Sequence, residues 1–353
     1  MNLILHITDI AFGGNGVARL DGKVFFVPFT APGDVVRARI TRDKKKFAET
    51  QLLEILTPSP HRVAPPCAYF GKCGGCSYQH IAYEQQLEIK HRQVEQTLRR
   101  VGKFSTVPMR PIIPSPAPYH FRNRIRVHIE NGIAGFYAHG SHALVPITHC
   151  EIAQPAVNEA LHGIRQRPLH DGDYTLTGGT TGTYFSQTND LVAAELLALV
   201  RREATPGHTH LIDAYCGAGF FAHALAPNYP HVTGIEENKH ATTYARRVAL
   251  ENETYITGDV ALHLGTALAG HDLTRTTLLL DPPALGLDTG VIGTILAALP
   301  ADILYVSCNA STMARDLALL APHYTLESVT PLDMFPQTAG IEILAVLRQK
   351  AAA

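Results

Sequence analysis

Hydrophobic and polar positions change rhythm along the chain. Up to residue 57 the apolar residues come in short β-rich runs, Val24-Phe25-Phe26-Val27, Val35 to Ile40 and Ala48 to Leu53. Turn formers at Gly13-Gly14, Asp21-Gly22 and Pro32-Gly33 separate them. Five or so strands in that length predict a small barrel. Pro58-Ser59-Pro60 to Pro65-Pro66 reads as a linker. Residues 81–103 have helical spacing, with Leu87, Val94, Leu98 and Val101 on one stripe. Tyr119 to Val127 and Ala134 to Tyr137 read as strands of a β meander over 119–150. From about 180, strands at 211–215, 232–236, 253–258, 277–280 and 303–306 alternate with helices at 190–204, 219–226, 238–251, 291–299 and 311–321. That alternation predicts a doubly wound parallel α/β sheet. Residues 324–329 and 341–348, joined without a helix, predict a closing antiparallel pair.

Charge changes this picture more than composition does. The chain is 46% hydrophobic and 17% charged, an ordinary globular balance. Its net charge of −1 hides an asymmetry: residues 1–150 hold 19 Lys+Arg against 10 Asp+Glu, and the rest hold 11 against 21. A basic front suits a polyanion, with an uneven spread of solvated faces as the alternative. Two features sharpen it. Arg42, Lys44, Lys45 and Lys46 sit in a turn of the predicted barrel, and Arg122, Arg124 and Arg126 alternate along a predicted strand. Both are candidate nucleic-acid contacts. Met1 to Gly14 lacks the pattern of a secretory leader, and no apolar run approaches the roughly 18 residues of a membrane span. A cytoplasmic location with no membrane partner is expected. In that reducing setting six cysteines are metal ligands or catalysts rather than disulfides.

Four stretches carry chemistry. In Asp213 to Phe220 a strand ends in a Gly217-x-Gly219 turn that opens a helix, and Glu236 closes the next strand, where an acid can grip a ribose. A nicotinamide site would share this turn, but Ala222 stands where a third glycine would be. Asp259 at the third strand and the antiparallel final pair favour an S-adenosylmethionine (SAM) methyltransferase sheet. Asp281-Pro282-Pro283-Ala284 ends the fourth strand and lacks the aromatic residue that would hold an amine, which argues against N-methylation. Cys308 ends the fifth strand, and Glu342 opens the last. An antiparallel last strand beside the fifth would bring the two face to face. A thiol nucleophile with a carboxylate base suits carbon methylation of a pyrimidine. A packed structural thiol is the alternative for Cys308. Finally, Cys67, Cys73 and Cys76 lie in a glycine-rich loop, and Cys150 follows after 73 residues. Four thiolates suit zinc or a [4Fe–4S] cluster, and one close trio with a distant fourth favours the cluster.

The whole chain resembles the SAM-dependent RNA 5-methyluridine methyltransferases that carry an N-terminal TRAM domain and an iron–sulfur cluster. The resemblance rests on residues 13–67, the cysteine spacing, Tyr119 to Arg124 with Gly135-Phe136-Tyr137, Phe185-Ser186-Gln187-Thr188-Asn189, and the motifs around Asp281, Cys308 and Glu342. It implies a TRAM/OB-like barrel over 1–57, a central α+β RNA-binding domain with the four-cysteine metal cluster over 58–180, and a Rossmann-like SAM methyltransferase domain over 181–353. The helix at 81–112 would pack on the last. It assigns SAM contacts to Gln187, Tyr215, Phe220, Glu236, Asp259 and Asp281, the nucleophile to Cys308 and the base to Glu342. Three positions depart from the family pattern. Ala310 replaces a proline, Ala284 an arginine, and Gly340 a histidine.

The expected activity is C5 methylation of a uridine in RNA by a monomer, in ribosomal RNA first and transfer RNA second. An RNA-binding member with impaired catalysis and a methyltransferase for a non-RNA heterocycle are the rival readings.

Overall fold

The protein is described here from a computed structural model, in residues 2–166, 170–178 and 187–351. The chain divides into two compact units. One comprises residues 1–93, 116–180 and 335–340, and the other residues 94–115, 181–334 and 341–353.

In the first unit the N-terminal residues form β1 (Asn2–His6), β2 (Asp9–Ile10), β3 (Gly16–Leu20), β4 (Lys23–Val27), β5 (Val35–Asp43) and β6 (Phe47–Thr57). Their order is β1-β5-β6-β4-β3-β2. Leu5, Ala18, Phe25, Val27, Val36, Ala38 and Ala48 from this one sheet pack on each other, with Ile7 from the β1–β2 link. A sheet that supplies its own core has to curl on itself, as expected of a small barrel. Gly16 is needed there, because a side chain would run into Thr30. Helix α1 (Tyr83–Arg100) starts in this unit, where Ile89 packs with Ile10, Tyr78 and Ile81. A second sheet has the order β10-β7-β8-β9, from β7 (Arg124–Glu130), β8 (Ile133–Tyr137), β9 (Leu144–Pro146) and β10 (Gly172–Thr177). Asn131 and Gly132, both at positive φ, make the tight turn that joins β7 to β8. Ile125, Val127 and Ile129 on one face of β7 pack against Val157 and Leu161 of α2 (Pro155–Ile164).

The second unit is the predicted wound sheet. Its strands are β11 (His210–Ala214), β12 (His231–Glu236), β13 (Glu253–Thr257), β14 (Thr276–Leu280), β15 (Asp302–Ser307), β16 (Tyr324–Leu332) and β17 (Glu342–Gln349). The order is β13-β12-β11-β14-β15-β17-β16, with β17 antiparallel to both neighbours and the first five strands parallel. β14 and β15 are buried throughout, as strands covered on both faces must be. Around the sheet lie α3 (Asp190–Glu203), α4 (Phe220–Leu225), α5 (Lys239–Val248), α6 (Val260–Leu268), α7 (Thr289–Ala298) and α8 (Ala310–Leu320). Val94 and Leu98 of α1, with Val107, join this unit's core. The helix ends at Arg100, short of the 81–112 expected, and Met109 and Ile113 then bridge to Val329 and Leu332 in extended form. Sequential strand order reverses between β11 and β14, the place where open α/β sheets hold ligands.

Candidate active site

At that reversal, β11 runs into a sharp turn. Tyr215 (φ 67°), Gly217 (φ 55°) and Gly219 (φ 86°) all take left-handed backbone. Gly217 faces open space, whereas a side chain on Gly219 would press on the Tyr255 hydroxyl. Gln187, Tyr215, Gly217, Phe220 and Asp281 line one pocket. Cys216 and Ala218 of the same turn line it too, as does Phe221, which lies just beyond the motif. Glu236 lies outside this lining but reaches it indirectly. Its carboxylate accepts the Gly217 N–H at 3.1 Å and the Asn238 N–H at 2.8 Å, which fixes the two loops that flank the pocket. Asp259 caps α6 through the Ala261 N–H. It still acts on the pocket by charge: burial pushes the Tyr215 hydroxyl up to about 12, and Asp259 is the next cause. Phe185 and Ser186 lie outside the described residues. Asp213, fully buried behind the turn, holds the Ala222 N–H at 2.9 Å. Burial raises its carboxyl well above the ordinary range.

Cys308 and Glu342 meet as the strand order requires. Ser307 pairs with Ile343 across β15 and β17, so the next step of the register sets Cys308 opposite Glu342. Cys308 is exposed, and its neighbours explain why. Ser307 Oγ accepts the Asn309 N–H, and Asn309 caps α8 through the Ser311 N–H while donating to the Ala284 carbonyl at 2.9 Å. The thiol is thus carried on a short bend pinned to the Asp281–Ala284 loop. Ala310 is the first residue of α8, a position where proline is merely pre-organised. Desolvation pushes the Cys308 thiol up to about 11, and the Glu342 and Asp281 carboxylates add to it. Burial also raises Asp281 to about 7, and lifts Glu342 well above its ordinary value with Asp281 as a further cause. Three acidic groups therefore crowd one corner.

In the first unit, Cys67, Cys73, Cys76 and Cys150 line one cavity of about 370 Å³. Burial, with the other three cysteines as further causes, raises the Cys76 thiol to about 12. Asn158 brackets Cys150, accepting its N–H at 2.8 Å and donating to its carbonyl at 3.0 Å. No group of three or more His, Cys, Asp or Glu side chains among the described residues is arranged to hold a metal ion. Arg124 and Arg126 lie on β7. Arg122 precedes the strand, pairs with Ala153 and turns its guanidinium back to the Arg124 carbonyl, so the expected row of three is a row of two. Arg122 and Arg126 also line the thiol cavity. Lys44, Lys45 and Lys46 are exposed in the β5–β6 turn, and Arg42 pairs with Glu49 at 3.4 Å. No described helix is long and apolar enough to cross a membrane.

A family model described as tRNA (uracil-5-)-methyltransferase matches residues 173–350, and a TRAM domain model matches residues 5–53. An uncharacterized RNA methyltransferase of Bdellovibrio bacteriovorus is 35% identical over 98% of this chain and 94% of its own length. One of Listeria monocytogenes is 31% identical over 97% and 96%. The crystal structure of a Pyrococcus abyssi tRNA (uracil-54, C5)-methyltransferase in complex with S-adenosyl-L-homocysteine shares the fold, with a TM-score of 0.75. It is 24% identical and covers 98% of this chain and 100% of that one. With a TRAM domain ahead of a methyltransferase sheet, the chain belongs to the tRNA (uracil-5-)-methyltransferase family of SAM-dependent RNA-modifying enzymes.

Proposed function

We propose that this enzyme methylates C5 of a uridine in RNA, with Cys308 as nucleophile and Glu342 as base. The observation that supports it is the register of β15 and β17, which sets the only exposed cysteine opposite a buried carboxylate beside Asp281. The open backbone at Gly217, the loops tied by Glu236 and the pocket of Gln187, Tyr215, Phe220 and Asp281 fit SAM. SAM supplies an electrophilic methyl group on a cationic sulfonium. A positive charge beside Asp281, Glu342 and Cys308 favours the ionised form of each, so the thiol loses its proton more readily once the pocket is filled. Cys308 Sγ then bonds to C6 of the uracil, which makes C5 nucleophilic toward the methyl group. Glu342 takes the C5 proton. The electrons of that bond restore the C5=C6 double bond and expel the Cys308 thiolate.

Ribosomal RNA is the proposed substrate, bound by the β5–β6 turn and β7, with Arg42, Lys44, Lys45, Lys46, Arg122, Arg124 and Arg126 on phosphates. The family model's description and the Pyrococcus protein favour transfer RNA as the second reading. We further propose that Cys67, Cys73, Cys76 and Cys150 hold a [4Fe–4S] cluster. The four thiols line one cavity, and one close trio with a distant fourth in sequence suits a cluster better than paired zinc knuckles. Stoichiometric zinc without iron in protein purified without air would exclude the cluster. The divisions 1–57, 58–180 and 181–353, the monomeric state and the cytoplasmic location belong to the same proposal.

The test is trapping with RNA that carries 5-fluorouridine, from which no C5 proton can be removed. Wild-type protein with SAM should form a covalent RNA–protein adduct that survives denaturant, and Cys308→Ala should form none. An adduct with Cys308→Ala would overturn the mechanism. Ribosomal and transfer RNA assayed separately decide the substrate.

A further inference from the structure

The loop that follows β14 leaves Pro283, Ala284 and Leu285 exposed, three apolar residues in a row. Leu285 is 81% exposed, more than any other large hydrophobic side chain among the described residues. A single exposed leucine needs no explanation, whereas a run of this kind on a water-facing loop marks a place of contact. The loop cannot fold the run away. Asn309 and Thr312 donate to the Ala284 carbonyl at 2.9 and 3.1 Å, and Arg315 Nη2 donates to the Leu285 and Leu287 carbonyls at 3.1 and 3.2 Å. The Leu287 N–H reaches Asp316 at 2.8 Å, and the Gly286 N–H turns back to the Pro283 carbonyl at 2.8 Å. Gly286 has φ of 77°, and a Cβ there would come within 2.6 Å of Asp316 Oδ2, so this backbone is pressed onto α8. The rim is also fixed beside the nucleophile. Asn309, which ties Ala284, directly follows Cys308, the only exposed cysteine. All of these residues lie in the second unit.

The chemistry sets a demand on the RNA. Cys308 Sγ has to approach C6 across the face of the uracil ring, and in a stacked strand the neighbouring bases cover both faces. The target uridine therefore has to leave the stack, at a cost that the enzyme must offset. Proteins that open a stack do so with an apolar side chain that takes the place of the lost neighbour. We propose that Leu285 is such a wedge. It packs against the base next to the target uridine and holds the uridine out of the stack for Cys308. Leucine gains by leaving water for the face of a base, and the pinned backbone beneath it resists the push. The inference rests on the role given to Cys308 above. It makes Leu285 a determinant of which uridines react: those in stacked surroundings depend on it, and those already splayed out do not.

The experiment uses the full-length chain, SAM and a segment of RNA around the uridine that the wild-type enzyme methylates. Leu285→Ala removes the wedge and, at so exposed a position, leaves the fold and Tm unchanged. It should lower kcat/KM for this RNA at least about tenfold with KM for SAM within about twofold, and Leu285→Met should restore the rate to within about threefold of wild type. On the same segment with abasic residues on both sides of the target, wild type and Leu285→Ala should react within about twofold of each other. A 2-aminopurine base beside the target reports unstacking directly. Its fluorescence should rise on binding wild type or Cys308→Ala, and stay low with saturating Leu285→Ala. The inference is overturned if Leu285→Ala matches wild type on the unmodified segment, if its deficit persists in full on the abasic-flanked RNA, or if 2-aminopurine brightens equally with it. Methyl transfer by Cys308→Ala would instead refute the Cys308 mechanism.

Discussion

Asp316 is a buried carboxylate that holds the Asp281–Leu287 loop from behind, and its removal is predicted to unfold the sheet unit at a markedly lower temperature. Its side chain is 1% exposed. Oδ2 accepts the Tyr305 hydroxyl at 2.7 Å and the Leu287 N–H at 2.8 Å, and Oδ1 accepts Arg315 Nε at 2.8 Å. Tyr305 lies on β15, which carries Cys308 at its end, and Leu287 ends the loop that begins at Asp281. Asp316→Ala strands two buried donors at about 1–3 kcal/mol each, while the half-exposed Arg315 turns to water and adds little. With the small cavity left behind, the loss is about 3–5 kcal/mol. For a unit of about 190 residues that is a fall of roughly 6–20 °C in Tm. The chain has no tryptophan, so the melt is followed by circular dichroism. Tyr305→Phe supplies the control. In the double variant the stranded hydroxyl is gone, so the two losses should fall short of their sum by about 1 kcal/mol. A loss under about 1 kcal/mol for Asp316→Ala, or strict additivity, would refute this account of the loop.

Three further outcomes follow from the site and its surroundings. Burial lowers His80 to about 4, with Arg62 adding to the effect, and burial lowers His208 and His210 as well. The unfolded chain therefore binds protons first: stability is full above about pH 6.5 and falls toward pH 4, by about 3 kcal/mol for His80 alone. Denaturant midpoints that stay flat over this range would contradict it. Glu342→Gln should stop turnover and accumulate methylated adduct on ordinary uridine RNA. Unmodified RNA recovered in full would remove the base role. Arg124→Ala and Arg126→Ala should each lower the slope of log affinity against log salt by about 0.7–0.9, and an unchanged slope would take that face of β7 out of the RNA contact.

What the sequence made legible was whatever local pattern and strand order decide together. The facing of Cys308 and Glu342 needed only the antiparallel last strand, because register carries any residue at one strand's end to its partner's start. The glycine turn after β11 was readable for a similar reason, since Gly217 and Gly219 mark backbone that few other residues adopt. Arg122 was misplaced because alternation alone cannot show that β7 begins at Arg124, two residues later. The end of α1 was missed because apolar spacing continues past Arg100 while Gly102 and Pro108 break it.

The residue that holds the Asp281–Leu287 loop left no such trace. Asp316 matches no motif, and its partners Tyr305 and Leu287 lie 11 and 29 residues away. Its role comes from burial, since a carboxylate that is cheap in water becomes decisive where each unmade bond costs about 1–3 kcal/mol. The same argument bears on Cys308. Its place at a strand tip beside a carboxylate could be read, but the crowding there could not. Burial, and after it the Glu342 and Asp281 carboxylates, push the Cys308 thiol up and so favour its neutral form. A thiol kept neutral in this way is guarded against oxidation and stray electrophiles, because the thiolate is the reactive form.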